Sequence, residues 1–293
     1  MNSDPTELAR HACRRNDLAP SQLKLLRSGE NTLFLLPEGI VLRVSRPGQI
    51  QAAHKELAVA RWLNQSGIPA VKPKSDLATL IVELDGCAIT FWEQLPQHSP
   101  CSPRELATAL RTIHALAPPA EFTLPPVEPF VRLGQRLASS RCINEDDRSW
   151  LLQHLADLQS RYTAAELHTV GKVLHGDAWD HNIVATSRGP IVLDLERFAI
   201  GPVAWDLSLS AVDHQTFATL STSAWQEFCT AYGHDITTWE HYPLFRDIRE
   251  LRKTTFALQI ADEQLQHVEQ ARFRVACLRG LHGSRPWHWH AVP

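Results

Sequence analysis

Apolar residues recur along this chain with two different periods, and the period changes near residue 97. Short aliphatic runs predict five strands in the first part, over residues 23–26, 32–36, 40–44, 77–84 and 87–92. A helical period precedes them over residues 5–18 and another interrupts them over residues 49–65. Further helices are predicted over residues 103–116, 129–140, 145–162, 207–214, 222–232, 243–262 and 264–281.

This change of period predicts the division of the chain. Five strands, preceded by one helix and interrupted by another, indicate a small α+β lobe, assigned to residues 1–92. The polar, proline-containing stretch 93–96 is the predicted linker. Residues 97–293 form a mostly helical second lobe.

Two apolar runs interrupt the helical part and flank a polar loop, between Leu174 and Glu196. Asp177 and Asn182 lie five residues apart on that loop, and Asp194 follows one predicted hairpin later, which returns it beside Asn182. A carboxylate can orient a hydroxyl and take its proton. Carboxylate and amide oxygens are ligands that Mg²⁺ prefers. The stretch therefore predicts phosphoryl transfer from a nucleotide–magnesium complex, with Asp177 as base.

The residues just before Asp177 have predicted roles in shaping the loop. His175 fixes the catalytic loop by hydrogen bonds, and Gly176 permits a tight backbone turn.

The predicted sheet lobe contains a cation and a carboxylate suited to a nucleotide. Arg43 alternates with apolar neighbours in its strand, so it is either a solvated strand residue or a charge held over the phosphates. Glu56 in the following helix is either solvated or paired with Arg43. The turn from Ser28 to Asn31 is either a plain hairpin or a phosphate-binding loop with backbone N–H groups, and its single glycine favours the plain hairpin.

Composition excludes several classes of function. The chain has 293 residues, 44% of them hydrophobic, a net charge of −3 and a pI near 6.6, so nothing suggests nucleic-acid binding. No apolar run approaches the ~18 residues of a membrane span, and the first residues do not resemble a secretory signal. The 6 cysteines form no CxxC pair. We expect a cytoplasmic monomer or dimer with reduced thiols.

The ordered motifs HGDxxxxN at residues 175–182, DxE at 194–196 and GxxxxD at 201–206 resemble those of the aminoglycoside phosphotransferase and choline kinase family. The resemblance covers nearly the whole chain in order. It implies an α+β, bilobal protein-kinase-like fold, in which an N-terminal five-stranded antiparallel sheet with one helix precedes a mostly helical C-terminal lobe. It also implies a small-molecule kinase that uses Mg²⁺ with ATP or GTP.

Carried over residue by residue, this resemblance assigns further roles. Asp177 matches the catalytic base, and Asn182 and Asp194 match the magnesium ligands. The remaining matches are a second acidic position at Glu196, a brace of the catalytic loop at Asp206, the helix glutamate of the nucleotide site at Glu56, and adenine contacts in the linker, at Trp92, Glu93 and Leu95. Arg43 departs from the pattern, because many members have lysine there.

Two other functions stay open on the sequence. A non-catalytic nucleotide-binding protein on the same fold is favoured by Arg43 and the glycine-poor loop, and opposed by Asp177, Asn182 and Asp194. A protein kinase is disfavoured because only eleven residues separate Asp194 from Asp206, too few for a long peptide-binding segment.

The phosphate acceptor is the least determined partner. We expect a small hydroxylated molecule, such as an aminoglycoside, amino sugar or amino alcohol, and a cationic acceptor would need carboxylates. Each candidate carboxylate is more often a solvated surface group, and the candidates are Asp180, Asp213, Asp247, Glu250 and Glu263.

Overall fold

The computed structural model describes residues 4–29, 31–167 and 171–292, and its chain divides into two compact units. Unit 1 takes in Met1–Cys101, Pro119–Phe122 and Asp180–Phe198. Unit 2 takes in Ser102–Pro118, Thr123–Trp179 and Ala199–Pro293. Residues 180–198 thus belong to unit 1, whereas the sequence-based division places them in the second lobe. The sequence-based division into a nucleotide-binding and a catalytic lobe describes functions and not compact units, so it stays a prediction.

Unit 1 is built on a five-stranded antiparallel sheet in the order β1-β2-β3-β5-β4. Its strands are β1 Lys24–Arg27, β2 Thr32–Leu36, β3 Ile40–Val44, β4 Ile81–Leu84 and β5 Cys87–Glu93. The five predicted strands are present, but β4 begins four residues later than predicted. Leu77 closes a turn on the Lys74 carbonyl (3.2 Å), which keeps the preceding segment out of the ladder.

The turn between β4 and β5 follows from two residues. Asp85 and Gly86 both have positive φ, 52° and 75°. This is the backbone of a tight hairpin turn whose twist matches that of the strands, and Asp-Gly is the pair that adopts it most readily.

Two helices pack on this sheet, α1 Pro5–Arg15 and α2 Ile50–Gln65. The Asp4 side chain caps α1 by accepting from Thr6 N at 2.9 Å. α1 ends earlier than predicted because Asp17 turns into a left-handed conformation, with φ 55°. Its apolar face buries Leu8 and Ala12 against the sheet.

Unit 1 also contains a second sheet, of three strands in the order β6-β8-β9. These strands are β6 His98–Pro100, β8 Ile183–Thr186 and β9 Gly189–Val192. The hairpin predicted after the polar loop is therefore present.

Unit 2 is mostly helical. Its helices are α3 Pro103–His114, α4 Leu133–Ser139, α5 Glu145–Ala164, α6 Ala204–Val212, α7 Thr222–Tyr232, α8 Tyr242–Glu263 and α9 Val268–Leu278. A small antiparallel sheet joins β7 Lys172–Leu174 to β10 Ala199–Gly201. A capping box between Ser102 and Glu105 starts α3, as expected where proline stands at the first helical position.

The long helix α8 is the centre of unit 2, because it contacts α4, α5, α6 and α9. A single π-helical turn, Asp213–Phe217, follows α6. The chain end returns to this turn, where Thr216 O accepts from the backbone N of Trp287 (3.0 Å) and of His288 (3.1 Å). An apolar cluster buries the tail, and its members are Val212, Phe217, Cys277, Trp287 and Trp289.

None of the helices in the described ranges combines the length and the apolar character needed to cross a membrane.

Candidate functional site

Arg43 lies in the central part of the unit 1 sheet, paired in register with Leu33 on β2 and Thr90 on β5. Its neighbours Leu42 and Val44 are buried on the opposite face, as strand alternation requires. The guanidinium group donates to both carboxylate oxygens of Glu56 on α2. Arg43 is therefore held by a buried carboxylate, as one of the two sequence interpretations predicts.

Two further groups hold the same guanidinium. With its amide oxygen turned towards Arg43, Asn31 accepts from Nε at 3.1 Å and from Nη2 at 2.7 Å. Glu196 Oε2 lies 3.4 Å from Nη2. These residues line a small cleft together with Ser45, Gln49 and Thr90.

Arg43 is strongly stabilised as a cation by this setting. Burial alone would lower the pKa of Arg43, but Glu56, Asp194 and Glu196 outweigh it and raise the pKa above its ordinary value. Burial raises the pKa of Glu56, and the Arg43 charge opposes that rise. The cleft therefore presents a permanent positive charge beside a set of carboxylates.

The predicted metal ligands lie at the start and just beyond the end of the β8–β9 hairpin. Ile183 pairs with Val192, and Leu193 N donates to the Asn182 backbone carbonyl at 2.8 Å. The hairpin thus brings the backbone beside Asp194 next to Asn182, as predicted. Asp194 has φ 50° and ψ 65°, a left-handed conformation that aspartate tolerates better than most residues. Such conformations cluster at functional sites.

The residues predicted to contact the adenine and the phosphates differ in whether the fold already uses their hydrogen-bonding groups. The Trp92 indole donates to Thr90 Oγ1 at 2.8 Å and is buried. Glu93 N donates to Lys72 O (2.8 Å) and Gln94 N to Gly39 O (2.7 Å). Among the described residues, none accepts a backbone hydrogen bond from Leu95 N. Ser28 is exposed, and Glu30 of the Ser28–Asn31 turn lies outside the described residues.

The backbone just before Asp177 belongs to unit 2, where a buried carboxylate holds it. Asp206 in the first turn of α6 accepts from His175 N at 2.8 Å and from Gly176 N at 2.9 Å. Asp177 N is 3.3 Å from His175 Nδ1, which matches the predicted role of that histidine. Gly176 has φ 88°, a conformation that glycine adopts without strain. The loop is therefore fixed immediately before Asp177.

His114 completes the support of this loop from α3. Its Nε2 lies 3.0 Å from Asp206 Oδ2 and its Nδ1 lies 2.9 Å from the Tyr232 hydroxyl. Burial would raise the pKa of Asp206, but the hydrogen bond to His114 and the nearby charges of His114, His175 and Arg249 outweigh it, so the pKa of Asp206 is below its ordinary value. Asp206 is therefore an ionised acceptor at neutral pH.

An aromatic residue connects the catalytic loop to α8. The Trp205 indole donates to the Gly176 carbonyl at 2.9 Å. The Arg249 guanidinium lies over that indole, 3.7 Å from the ring centroid, and donates to the Trp205 carbonyl. Arg249 Nε also donates to Ser208 Oγ at 3.3 Å. α8 thus contacts the residue that holds the loop.

The candidate acceptor carboxylates differ in their units and in their partners. Asp180 belongs to unit 1, where its Oδ1 lies 2.9 Å from His181 Nδ1, and the others belong to unit 2. Glu250 is fully buried, accepts from Thr216 Oγ1 at 2.6 Å and forms a bidentate ion pair with Arg285. Asp247 pairs with Arg246 at 2.9 Å. This geometry disfavours the acceptor roles predicted for Asp247 and Glu250. Asp213 begins the π-helical turn.

Sequence reasoning missed several residues that the structure places beside the predicted ones. His114 is one of them, and no local motif in the sequence distinguishes it. Lys55 precedes Glu56 on α2 and donates to the Phe198 carbonyl at 3.3 Å. Arg249 and Lys253, one helical turn apart on α8, also had no recognisable motif.

A family model described as the phosphotransferase enzyme family, APH, matches residues 23–245, which is most of the chain. The chain belongs to this family. The predicted family, the protein-kinase-like fold and the enzyme class of small-molecule kinase are thereby confirmed. No curated protein matches this phosphotransferase.

Solved structures of small-molecule kinases share its fold. An amicoumacin kinase in complex with AMP-PNP, Ca²⁺ and amicoumacin is 15% identical, with 94% of each chain covered and a TM-score of 0.69. The GDP and kanamycin complex of an APH(2") enzyme is 12% identical, covering 94% of this chain and 99% of the other, with a TM-score of 0.67. A choline/ethanolamine kinase family protein from Mesorhizobium loti is 18% identical, with 96% of each chain covered and a TM-score of 0.60.

Proposed function

We propose that this phosphotransferase moves the γ-phosphoryl group of ATP or GTP to a hydroxyl of a small molecule, with Mg²⁺ as the metal. One observation carries the nucleotide side of the proposal. Arg43, held by Glu56, shares a cleft with Glu196 and lies within the electrostatic influence of Asp194. A fixed guanidinium beside metal-binding carboxylates suits the phosphates of a nucleotide–magnesium complex.

Asn182 and Asp194 would hold the metal, with Glu196 as a second carboxylate. No group of three or more His, Cys, Asp or Glu side chains suited to a metal is found in the described ranges. Mg²⁺ needs fewer protein ligands than such a group, since it is usually bound by one or two carboxylates together with phosphates and waters. The amide and carboxylate oxygens at the end of the β8–β9 hairpin fit that requirement. When bound, the metal would neutralise charge on the phosphates.

Asp177 would act as the base. Its backbone position is fixed by the Asp206, His175 and Gly176 contacts, so its carboxylate can orient the acceptor hydroxyl and take its proton. Catalysis would come mainly from positioning and from electrostatic stabilisation of the transferred group.

The base of the nucleotide would lie against the linker. The N–H groups of Glu93 and Gln94 serve the fold, which favours Leu95 N–H as the donor to the purine. The nucleotide-binding lobe would then comprise residues 1–92, with 93–96 as hinge and 97–293 as catalytic lobe. A relative crystallised with AMP-PNP and another with GDP are consistent with either triphosphate.

The test is an Asp177→Asn variant assayed for nucleotide consumption with a panel of aminoglycosides, amino sugars, amino alcohols and sugar acids. We expect phosphoryl transfer to fall at least about 10³-fold, while nucleotide binding by calorimetry changes little. Asp157→Asn, an exposed carboxylate on α5, is the matched control and should retain full activity. Near-normal turnover of Asp177→Asn would overturn the role given to this residue.

A further inference from the structure

Lys253 is a half-buried cation of unit 2 that has no role in the proposed mechanism. It lies on α8 one helical turn after Arg249, which stacks on the Trp205 indole. Residues four apart share a helix face. Lys253 is half-buried, with its Nζ 5.9 Å from the centroid of the Phe217 ring. The Phe217 ring ends the π-helical turn that begins at Asp213.

Within the described part of the chain, the Lys253 ammonium makes no hydrogen bond and no ion pair. The other charged residues in this part of α8 do have partners. Arg246 and Asp247 pair with each other, and Glu250 pairs with Arg285. Arg252 donates to the Pro129 carbonyl at 2.8 Å. Lys253 therefore differs from its neighbours in being a cation whose hydrogen-bond donors have no partner among the described residues.

Contacts within unit 2 connect this part of α8 to the backbone next to the proposed base, because Arg249 lies over the Trp205 indole and that indole donates to the Gly176 carbonyl. Burial lowers the pKa of Lys253, the charges of Asp213 and Asp177 oppose that change, and those of Arg249 and Arg274 add to it. Arg274 is itself buried, and its Nη1 donates to the backbone carbonyl of Lys253 at 2.7 Å. A partly desolvated ammonium without a bonded partner is costly, and an anion from a ligand would remove that cost.

We propose that the acceptor carries an anionic group, a carboxylate or a phosphate, and that Lys253 binds this group while Asp177 orients the hydroxyl. The inference rests on the proposed function and specifies its substrate class.

The surrounding charges favour an anionic acceptor over a cationic one. The ammonium group of an aminoglycoside would be repelled by the charge of Lys253 and also by the charges of Arg249 and Arg274. Of the carboxylates that could offset this repulsion, Asp247 and Glu250 are already engaged by arginines, which leaves Asp213 and Asp177 against the three cations. A carboxylate or phosphate meets the opposite situation, because each of these cations attracts it.

The experiment compares acceptors that share a carbon skeleton and carry a neutral, cationic or anionic substituent. One series is glucose, glucosamine, glucuronate and glucose 6-phosphate; the other is glycerol, 3-amino-1,2-propanediol, glycerate and glycerol 3-phosphate. The wild-type protein, Lys253→Met and Lys253→Glu are assayed with saturating nucleotide and Mg²⁺. The matched control is Lys172→Met, an exposed lysine on β7. The carboxylate and phosphate members of each series distinguish the two sources of negative charge.

We expect the wild type to prefer an anionic member of at least one series over its neutral analogue by tenfold or more in kcat/KM. Lys253→Met should raise the acceptor KM at least tenfold for that member and less than threefold for the neutral one, with the nucleotide KM unchanged. Lys253→Glu should reverse the preference towards the amine.

Three outcomes would contradict the proposal. A wild type that prefers the neutral or amino members, or a Lys253→Met variant that keeps the anionic preference, overturns the anionic acceptor while leaving the kinase function intact. An equal loss of kcat on all acceptors would show that Lys253 acts on Asp177 instead. If no member of either series and no member of the wider panel is phosphorylated, the proposed function itself fails.

Discussion

At the scale of single residues, Arg43 is the cation of the proposed nucleotide site. Its planar fork is fully used, since Glu56, Asn31 and Glu196 each contact it. A lysine has one ammonium group and could not reproduce these contacts. The pairing of Arg43 with Glu56 could be anticipated, because a strand cation followed by a helix glutamate is a readable pattern. The Asn31 and Glu196 contacts depend on the folded positions of distant segments, so they could not.

The phosphate-side role of Arg43 can be tested by Arg43→Met and Arg43→Lys. We expect the nucleotide KM to rise at least tenfold in the first and by a smaller factor in the second, because lysine keeps the charge but loses the fork. The acceptor KM should stay constant. Steady-state kinetics with each substrate varied in turn measure both. Arg61→Met, an exposed arginine on α2, is the control, and a nucleotide KM unaffected by Arg43→Met would contradict the assignment.

At the scale of elements, α6 and the catalytic loop form one hydrogen-bonded arrangement. Asp206 in the first turn of α6 accepts two backbone N–H groups of the loop, and His114 on α3 supports the same carboxylate. The position of Asp206 near a helix N-terminus was predictable from the GxxxxD motif. The contribution of His114 was not, since an isolated histidine on an apolar helix face carries no spacing signal.

Removal of the Asp206 charge should weaken the fold in a pH-dependent way. Its folded-state pKa lies below its ordinary value, which is about 3.9 in an unfolded chain. The ionised carboxylate therefore stabilises the fold at every pH above about 4, and this stabilisation is lost as the pH falls through the lower folded-state pKa. We expect Asp206→Asn to lower the free energy of unfolding by about 2 kcal/mol at pH 7, the order of a charged hydrogen bond.

Urea unfolding of both proteins at pH 7, 5 and 3 measures this dependence. The difference between wild type and Asp206→Asn should be equal at pH 7 and 5 and smaller at pH 3. The same series on Asp157→Asn should show little difference at any pH. A difference that grows on acidification would contradict an ionised Asp206.

The secondary structure of the chain was largely predictable because it depends on local periodicity and turn residues. Helix α7 begins and ends as predicted at Thr222 and Tyr232, where Ser221 caps its start and Gly233 (φ 93°) ends it. Prediction failed where the backbone turns without such a signal. The π-helical turn Asp213–Phe217 was read as the end of a helix, since its conformation depends on the chain end returning to Thr216.

At the scale of the whole molecule, the proposed chemistry is distributed over both compact units. The cation and the predicted metal ligands belong to unit 1, whereas Asp177 and its supporting residues belong to unit 2. Residues 178–181 connect the two sets along the chain. The HGDxxxxN motif at residues 175–182 contains both the predicted base and a predicted metal ligand, and the boundary between the units falls within it.

The C-terminal segment should contribute strongly to the stability of unit 2. Trp289 is 1% exposed and packs against Phe217 and Trp287. Loss of a buried large aromatic side chain typically costs about 3–5 kcal/mol, so Trp289→Ala should lower the free energy of unfolding by that order. Urea unfolding of Trp289→Ala and of His290→Ala, whose side chain is exposed, provides the comparison. Equal stability of the two variants would exclude a core role for the segment.

The hydrogen bonds that Asp206 accepts from the backbone N–H groups of His175 and Gly176 affect how the activity of this enzyme depends on temperature. The backbone entropy of ordering this loop is lost when unit 2 folds, not when substrates bind. A loop ordered in advance does not melt as a separate, less stable element. Activity should therefore persist as the temperature rises and disappear together with the global unfolding transition of unit 2.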